Sequence, residues 1–398
     1  MEARTREYLR GRFGDHYRRL ARTEGIPAPP AANEREWGYI PFSTGGTTMV
    51  RHESLLDLTG GADLGAFLAR ERPRHAYFSA GRYDHPGEDS MGAKGWRGSD
   101  LVFDIDADHL PGVDPETDAY GEMLEAGKDA LFDLLDFLET DFGFEDVLLV
   151  FSGGRGYHAH VREPGVQELG REERREVVDY VRGIGLTFDG LVRHEQVEGL
   201  GRKTPADKRT LPTDGGWAAR VHRHLLEFVE ELLAAEEEEA ALARLREFDG
   251  IGEGKARAAL RAARENRETI EEGNVDVHPA FYGVARGLFE RVREADGAPI
   301  DEPVTTDINR LIRLPGSLHG GTGLRVCRID RDDLDGFDPL VDAVPDTFTG
   351  NRIMVEVTEP LSVSLAGEKF NLDGGVQSVP EHLGVFAMAR GHAEKARE

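Results

Sequence analysis

The segment Asp100-Leu-Val-Phe-Asp-Ile-Asp-Ala-Asp108 constrains this chain most. Its apolar alternation predicts a buried β-strand with Leu101, Phe103 and Ile105 on one face, and a period of two then places Asp104 and Asp106 together on the other. Two adjacent carboxylates with no cation nearby in sequence repel each other, and a divalent cation with a preference for hard oxygen ligands removes that repulsion. The plainer reading is a strand running out into an acidic loop. Asp108 begins that loop and is expected to face solvent.

A second signal is Phe151-Ser-Gly-Gly-Arg-Gly-Tyr-His-Ala-His160, joining strand candidates Val147–Phe151 and Tyr157–Val161. A Gly-rich turn brings backbone close to an anion, and an arginine forks two phosphate oxygens. Ser152, Arg155 and His158 are thus anion-binding candidates, whereas His160 reads better as a packed strand histidine. The third signal runs from Ile300 to His319, with acidic residues, Arg310 and Arg313, and a histidine after a Pro-Gly turn. By itself it reads equally as a surface strand and turn.

Around these signals the chain is organised simply. Residues 2–22 predict a helix, and residues 37–103 a series of short strands and Gly-rich turns. Residues 118–140 predict a helix through Leu131, Leu134, Leu135 and Leu138. From 164 to 296 the pattern is helical and charged, with an apolar stripe of Val221, Leu225, Phe228, Val229 and Leu232. The run Glu236–Glu239 reads as a solvated helix face, and Gly250-Ile-Gly252 as an interhelical turn. Strand-like segments return from 300 to about 358, which predicts an α/β (α+β) body: 1–163 with 297–358 as the core, 164–296 as a helical insertion, and 359–398 as an extension acting as a cap or anchor.

Charge sets the conditions of any ligand binding. The formal net charge is −26, and only seven of the 49 cationic residues are lysine, a pattern expected of a halophilic protein in a high-salt cytoplasm. At molar salt the Debye length is about 3 Å, so net acidity does not exclude a nucleic-acid partner; it requires close contacts. Cys327, the single cysteine, excludes a disulfide framework. The absence of a long apolar run argues against a membrane span and for a cytoplasmic location.

In this order the three segments resemble the small, catalytic subunit of archaeal and eukaryotic-type DNA primases. Arg35-Glu-Trp-Gly-Tyr-Ile-Pro-Phe42, Val50-Arg51 and Lys94-Gly-Trp96 are similar to the family too, and the resemblance spans roughly 5–345. It implies an archaeo-eukaryotic primase core with an inserted helical subdomain. It implies two Mg²⁺ or Mn²⁺ ions on Asp104, Asp106 and a third carboxylate, Asp301, which is preferred over Asp307 because the family's aspartate lies eighteen residues before the histidine at 319. Ser152, Arg155, His158, Arg313 and His319 would then hold the triphosphate, with Arg51 a basic family position near them. The implied partners are single-stranded DNA template, NTPs or dNTPs, and a separate iron–sulfur-containing large subunit, for which an apolar patch on the helical block is one candidate surface.

Two departures stand out. Gly154 replaces an arginine or histidine of many relatives, which removes one expected phosphate contact. Residues 109–118 lack the cysteines of the zinc knuckle seen in many relatives, so no structural zinc, or a remodelled loop, is expected; His109 and Asp114 make a poor tetrahedral set. The competing readings are a repair-type primase-polymerase, a non-catalytic nucleic-acid-binding scaffold, and a metal-dependent phosphohydrolase built on Asp-x-Asp.

Overall fold

The computed structural model describes residues 1–23, 25–43, 48–197 and 206–397. The chain forms two compact units: Met1–Leu131 with Glu145–Glu176 and Pro299–Glu398, and Phe132–Phe144 with Val177–Ala298.

Two antiparallel sheets of the first unit position the site. Their strands are β1 (Trp37–Ile40), β2 (Val50–Glu53), β3 (His75–Ser79), β4 (Leu101–Asp106), β5 (Val147–Phe151), β6 (Gly156–Val161), β7 (Leu311–Arg313) and β8 (Cys327–Ile329). One sheet has the order β7-β3-β1-β2 and the other β8-β5-β6-β4. In β4 the predicted alternation holds: Leu101, Phe103 and Ile105 are fully buried, while Asp104 and Asp106 stay partly open.

The strand is anchored at its start by a buried ionic cluster. Asp100 accepts two hydrogen bonds from Arg35 (2.9 and 3.0 Å) and one from Arg162 (3.0 Å). Arg174 donates to the Asp100 and Ser99 carbonyls at 3.0 and 2.7 Å. The same Arg35 guanidinium also reaches the Ser79 and Ala80 carbonyls at the end of β3, so one side chain ties the two sheets together. Arg35 and Asp100 are 1% and 0% exposed, which puts this pair beyond the reach of counter-ions.

The structure redraws the expected boundaries. Residues 164–176 belong to the first unit and 132–144 to the second, so the predicted 164–296 insertion is displaced at its start. The predicted helix over 118–140 is observed as Tyr120–Asp136 followed by a wide turn, Phe137–Asp141. Residues 359–398 are no appendage: Gly375–Pro380 and Ala393–Lys395 flank Arg352–Val357 on either side in one sheet. Glu394 binds Thr5, and Glu381 pairs with Arg12 at 2.9 Å, which fastens this segment to the first helix, Ala3–Thr23. The expected strand-and-turn region 37–103 also contains helices Leu55–Thr59, Leu64–Glu71 and Met91–Lys94. Each has a serine or aspartate cap accepting from the first turn, a local signal that outweighs their shortness.

The second unit is mainly helical, built on Gly216–Ala234, Glu238–Arg246, Glu253–Glu265 and Pro279–Asp296. The predicted stripe Val221, Leu225, Phe228, Val229, Leu232 is buried. Glu236–Glu239 are exposed, and Gly250, at φ +73°, turns the chain between two helices. A two-stranded ribbon, Arg193–Val197 with Ala206–Thr210, corrects the all-helical expectation; residues 198–205 of the block lie outside the described residues.

Candidate active site

Strand pairing assembles the first wall. Asp104 lies opposite His158, and Asp106 opposite Gly156, across the β4–β6 ladder. His158 Nε2 is 3.4 Å from Asp104 Oδ1, while Asp106 accepts a 3.4 Å bond from the Asp108 amide. The β5–β6 hairpin folds back above them. The Ser152 hydroxyl oxygen accepts from the Gly154 and Gly156 amides at 3.3 Å each, which shapes the turn. Gly153 has φ +75°, and a Cβ on Gly156 would meet the Ile105 carbonyl at 2.1 Å, so neither position admits a side chain. A Cβ on Gly154 would press on the His319 ring, 3.1 Å from Nε2; the departure noted at this position therefore makes room for His319 as well as removing a contact.

The opposite wall comes from the other sheet. Arg313 sits on edge strand β7 opposite Tyr77. Its guanidinium donates to Tyr77 Oη at 3.0 Å and to His75 Nδ1 at 2.8 Å. The Gly320 amide donates to the same His75 nitrogen at 3.3 Å, so this ring is a neutral acceptor. Burial, then Arg313 and Arg74, hold its pKa well below the usual histidine value. His319 packs edge-to-face on His75 with ring centroids 5.0 Å apart. Its pKa is likewise well below normal through burial and then Arg313, His75 and Arg74. His158 is lowered by burial, partly opposed by Asp104.

These walls enclose a cavity of about 340 Å³, lined by Asp104, Asp106, Ser152, Arg155, His158, Arg313 and His319. Tyr77, Arg310, Thr322 and Arg390 complete its polar lining. Carboxylates and several arginines lining one cavity suit a polyanionic ligand with a reacting group near the acids.

Asp301 does not line the cavity itself but is tied to its floor: its amide donates to the Asp104 carbonyl at 2.9 Å. It occupies the cap of helix Glu302–Thr306 without using its carboxylate there. Burial and then the charge of Asp104 raise that carboxyl's pKa. Asp307 instead caps the Asn309 amide at 3.0 Å. Among the described residues no three histidine, cysteine or carboxylate side chains stand together as a finished ligand set. Even so, three hard-oxygen donors, one of them raised in pKa by burial and then by the charge of Asp104, are the donor chemistry a divalent metal takes, so these residues fit such a group.

Two expectations change. Arg51 is not brought to the cavity; it lies on β2 and its Nε bonds buried Glu36 at 3.0 Å, a carboxylate shared with Lys94 at 2.5 Å. Asp108 does not simply face solvent: it is partly buried and paired with Arg155 at 2.5 Å. Arg155 therefore has a carboxylate partner to leave before it can meet a phosphate. Residues 109–118 form a turn closed by Asp114 and Asp118, with the Asp114 amide donating to Asp118 at 2.8 Å. His160 is fully buried, and burial holds its pKa well below the usual histidine value, as expected of a packed neutral ring.

Sequence reasoning missed His75, Tyr77, Thr322 and Arg390. The alternation of His75 and Tyr77 along β3 was a usable signal for one polar face; for Thr322 and Arg390 the sequence offers none.

The family described as DNA primase small subunit matches residues 103–330. The chain is 67% identical, over the full length of both proteins, to the DNA primase small subunit PriS of Natronomonas pharaonis, and 65% identical, again over both full lengths, to that of Haloarcula marismortui. Similarity extends to the PriS of Methanococcoides burtonii, at 36% identity over 99% of each chain. With seven of the anticipated side chains around one cavity and full-length identity of this order, the chain belongs to the DNA primase small subunit family.

Proposed function

We propose that the chain is the catalytic subunit that makes short primers on single-stranded DNA by nucleotidyl transfer. The observation that carries this reading is one cavity lined by Asp104 and Asp106 together with Arg155, Arg310, Arg313 and His319. In the reaction a 3′-hydroxyl attacks the α-phosphorus of an incoming NTP or dNTP, and the bond to the β-phosphate breaks to release pyrophosphate.

Arg313 and Arg310 hold the β- and γ-phosphates, and Arg155 joins them once it leaves Asp108. His75 and Tyr77 fix the Arg313 guanidinium so that its orientation is set before the nucleotide arrives. His158 and His319 stay neutral, which lets their rings act as hydrogen-bonding groups without adding charge. Mg²⁺ or Mn²⁺ held by Asp104, Asp106 and Asp301 would supply neutralisation of phosphate charge and activation of the attacking hydroxyl. Partnership with a separate large subunit fits a chain whose only cysteine, Cys327, is buried. No helix among the described residues is long and apolar enough to cross a membrane.

The test is primer synthesis on single-stranded DNA in high salt with Mg²⁺ or Mn²⁺, with and without the large subunit. Wild type and Asp307→Asn should make primers, and Asp301→Asn should not. No synthesis by wild type, even with the large subunit, would defeat the reading; extension of supplied primers alone would favour a repair-type polymerase.

A further inference from the structure

A second cavity, of about 330 Å³, adjoins the first. It is lined by Arg6 of the first helix, Phe42 and Ser43 after β1, Arg74 just before β3, and the end of helix Glu381–Arg390. Among the described residues lining it there is no carboxylate, in a chain with 75 acidic residues against 49 basic ones. The Met1 amino group, also at this rim, is already met by Glu394 at 3.3 Å, so the positive charge of the cavity is that of Arg6, Arg74 and Arg390.

None of these three arginines is ion-paired among the described residues, although the protein pairs most of its partly buried arginines. Arg74 donates from Nε to the Gly320 carbonyl at 3.1 Å, beside His319, and burial without a counter-charge lowers its pKa. Arg390 lines both cavities. Its guanidinium lies 4.4 Å over the Tyr120 ring, with Nε buried and unpartnered, and Tyr120 in turn bonds the Gly154 carbonyl of the hairpin. The carbonyls at the helix end are closed by the Gly391 amide, which donates to Ala387 and Met388, so they do not oppose an anion there.

We propose that this second cavity binds a phosphate group of the nucleic acid next to the nucleotide site, with Arg390 shared between the two. The ligand chemistry is a phosphate ester, supplied either by the template backbone or by the 5′-triphosphate of the strand being made. This inference rests on the primer-synthesis reading. In molar salt a contact of this kind must be direct, and three unpaired arginines converging on one hollow provide it.

Arg6 is the residue to change, because it lines only the second cavity. Binding of four probes to the full chain would be measured by anisotropy or calorimetry: ATP, single-stranded DNA, and an RNA dinucleotide with a 5′-triphosphate or a 5′-hydroxyl. Arg6→Glu should weaken either the DNA or the triphosphate dinucleotide about tenfold and flatten the log–log salt slope of that probe by about 0.7, the value for one lost contact to a single strand. ATP binding should be unchanged, and Arg6→Lys should behave like wild type, which excludes misfolding. Loss confined to DNA assigns the template backbone; loss confined to the triphosphate dinucleotide assigns the strand's 5′ end. Wild-type affinity and slope for every probe in Arg6→Glu, or an equal loss for ATP, overturns the inference. Failure of the wild type to bind ATP or to make primers would instead count against the primer-synthesis reading itself.

Discussion

Removing Asp100 tests the buried cluster that anchors the strand carrying Asp104 and Asp106. Asp100→Ala takes away the carboxylate that meets Arg35 twice and Arg162 once, at 2.9–3.0 Å. Arg35 keeps its bonds to the Pro30, Ser79 and Ala80 carbonyls, but its charge is left uncompensated at 1% exposure. Breaking a buried pair from one side costs about 3–5 kcal/mol. The upper half of that range is expected here, since a second arginine loses its partner too. For a unit of this size each kcal/mol lowers the melting temperature by about 2–4 °C, so a drop of roughly 8–20 °C should follow. The discriminating assay is thermal or denaturant unfolding at 1 M and 3 M KCl. A counter-ion cannot enter between groups that are wholly buried, so the loss must be the same at both salts. The control is Asp346→Asn, which breaks an exposed pair with Arg19 at 3.2 Å and should cost at most about 1 kcal/mol. A loss under about 1 kcal/mol for Asp100→Ala, or one that shrinks with salt, would refute the argument.

Other outcomes follow from the site. His75→Phe should raise the KM for nucleotide several-fold with a smaller effect on kcat, and His75→Asn, which keeps an acceptor for Arg313, should recover most of it; equal kinetics for both variants would remove His75 from the site's support. Burial lowers the His16 pKa to about 4, so the folded state binds fewer protons than the unfolded one between pH 6.5 and 4. Stability should therefore fall as pH drops through that window, and His16→Gln should flatten the slope by up to about 1.4 kcal/mol per pH unit, read from unfolding curves at several pH values. Gly156→Ala should cost about 3 kcal/mol or more by forcing β4 and β6 apart, checked by unfolding and by loss of primer synthesis. Asp108→Asn should tighten nucleotide binding by about threefold in calorimetry, because Arg155 no longer has a competing carboxylate.

What the sequence made legible was local. Asp104 and Asp106 could be placed on one face because the apolar partners of β4 alternate between them, and the helix after them because its leucines recur at helical spacing. The Ser-Gly-Gly-Arg-Gly hairpin was legible because its glycines are required by backbone approach. Arg313 and His319 drew notice through the resemblance, but what holds them did not: His75 meets Arg313 only because β3 and β7, more than 230 positions apart, pair in one sheet. Arg51 misled for the same reason, since nothing near it in sequence announces that Glu36 lies beside it. Charge told least, because Asp108 looks like a free surface group until the hairpin lays Arg155 on it.

The clasp between the first helix and the last strands has a consequence for the order of events during synthesis. Thr5 finds Glu394 only 389 positions further along the chain. At about 5–20 residues per second, the first helix leaves the ribosome roughly 20–80 s before its partner exists. In that interval its buried face, Leu9, Phe13 and Tyr17, needs shelter. The helical unit is nearly continuous in sequence, from Val177 to Ala298, and has its own core to close around while the first unit waits. Arg313 and His319 arrive later still, so the nascent protein gains this wall of its cavity only near the end of translation.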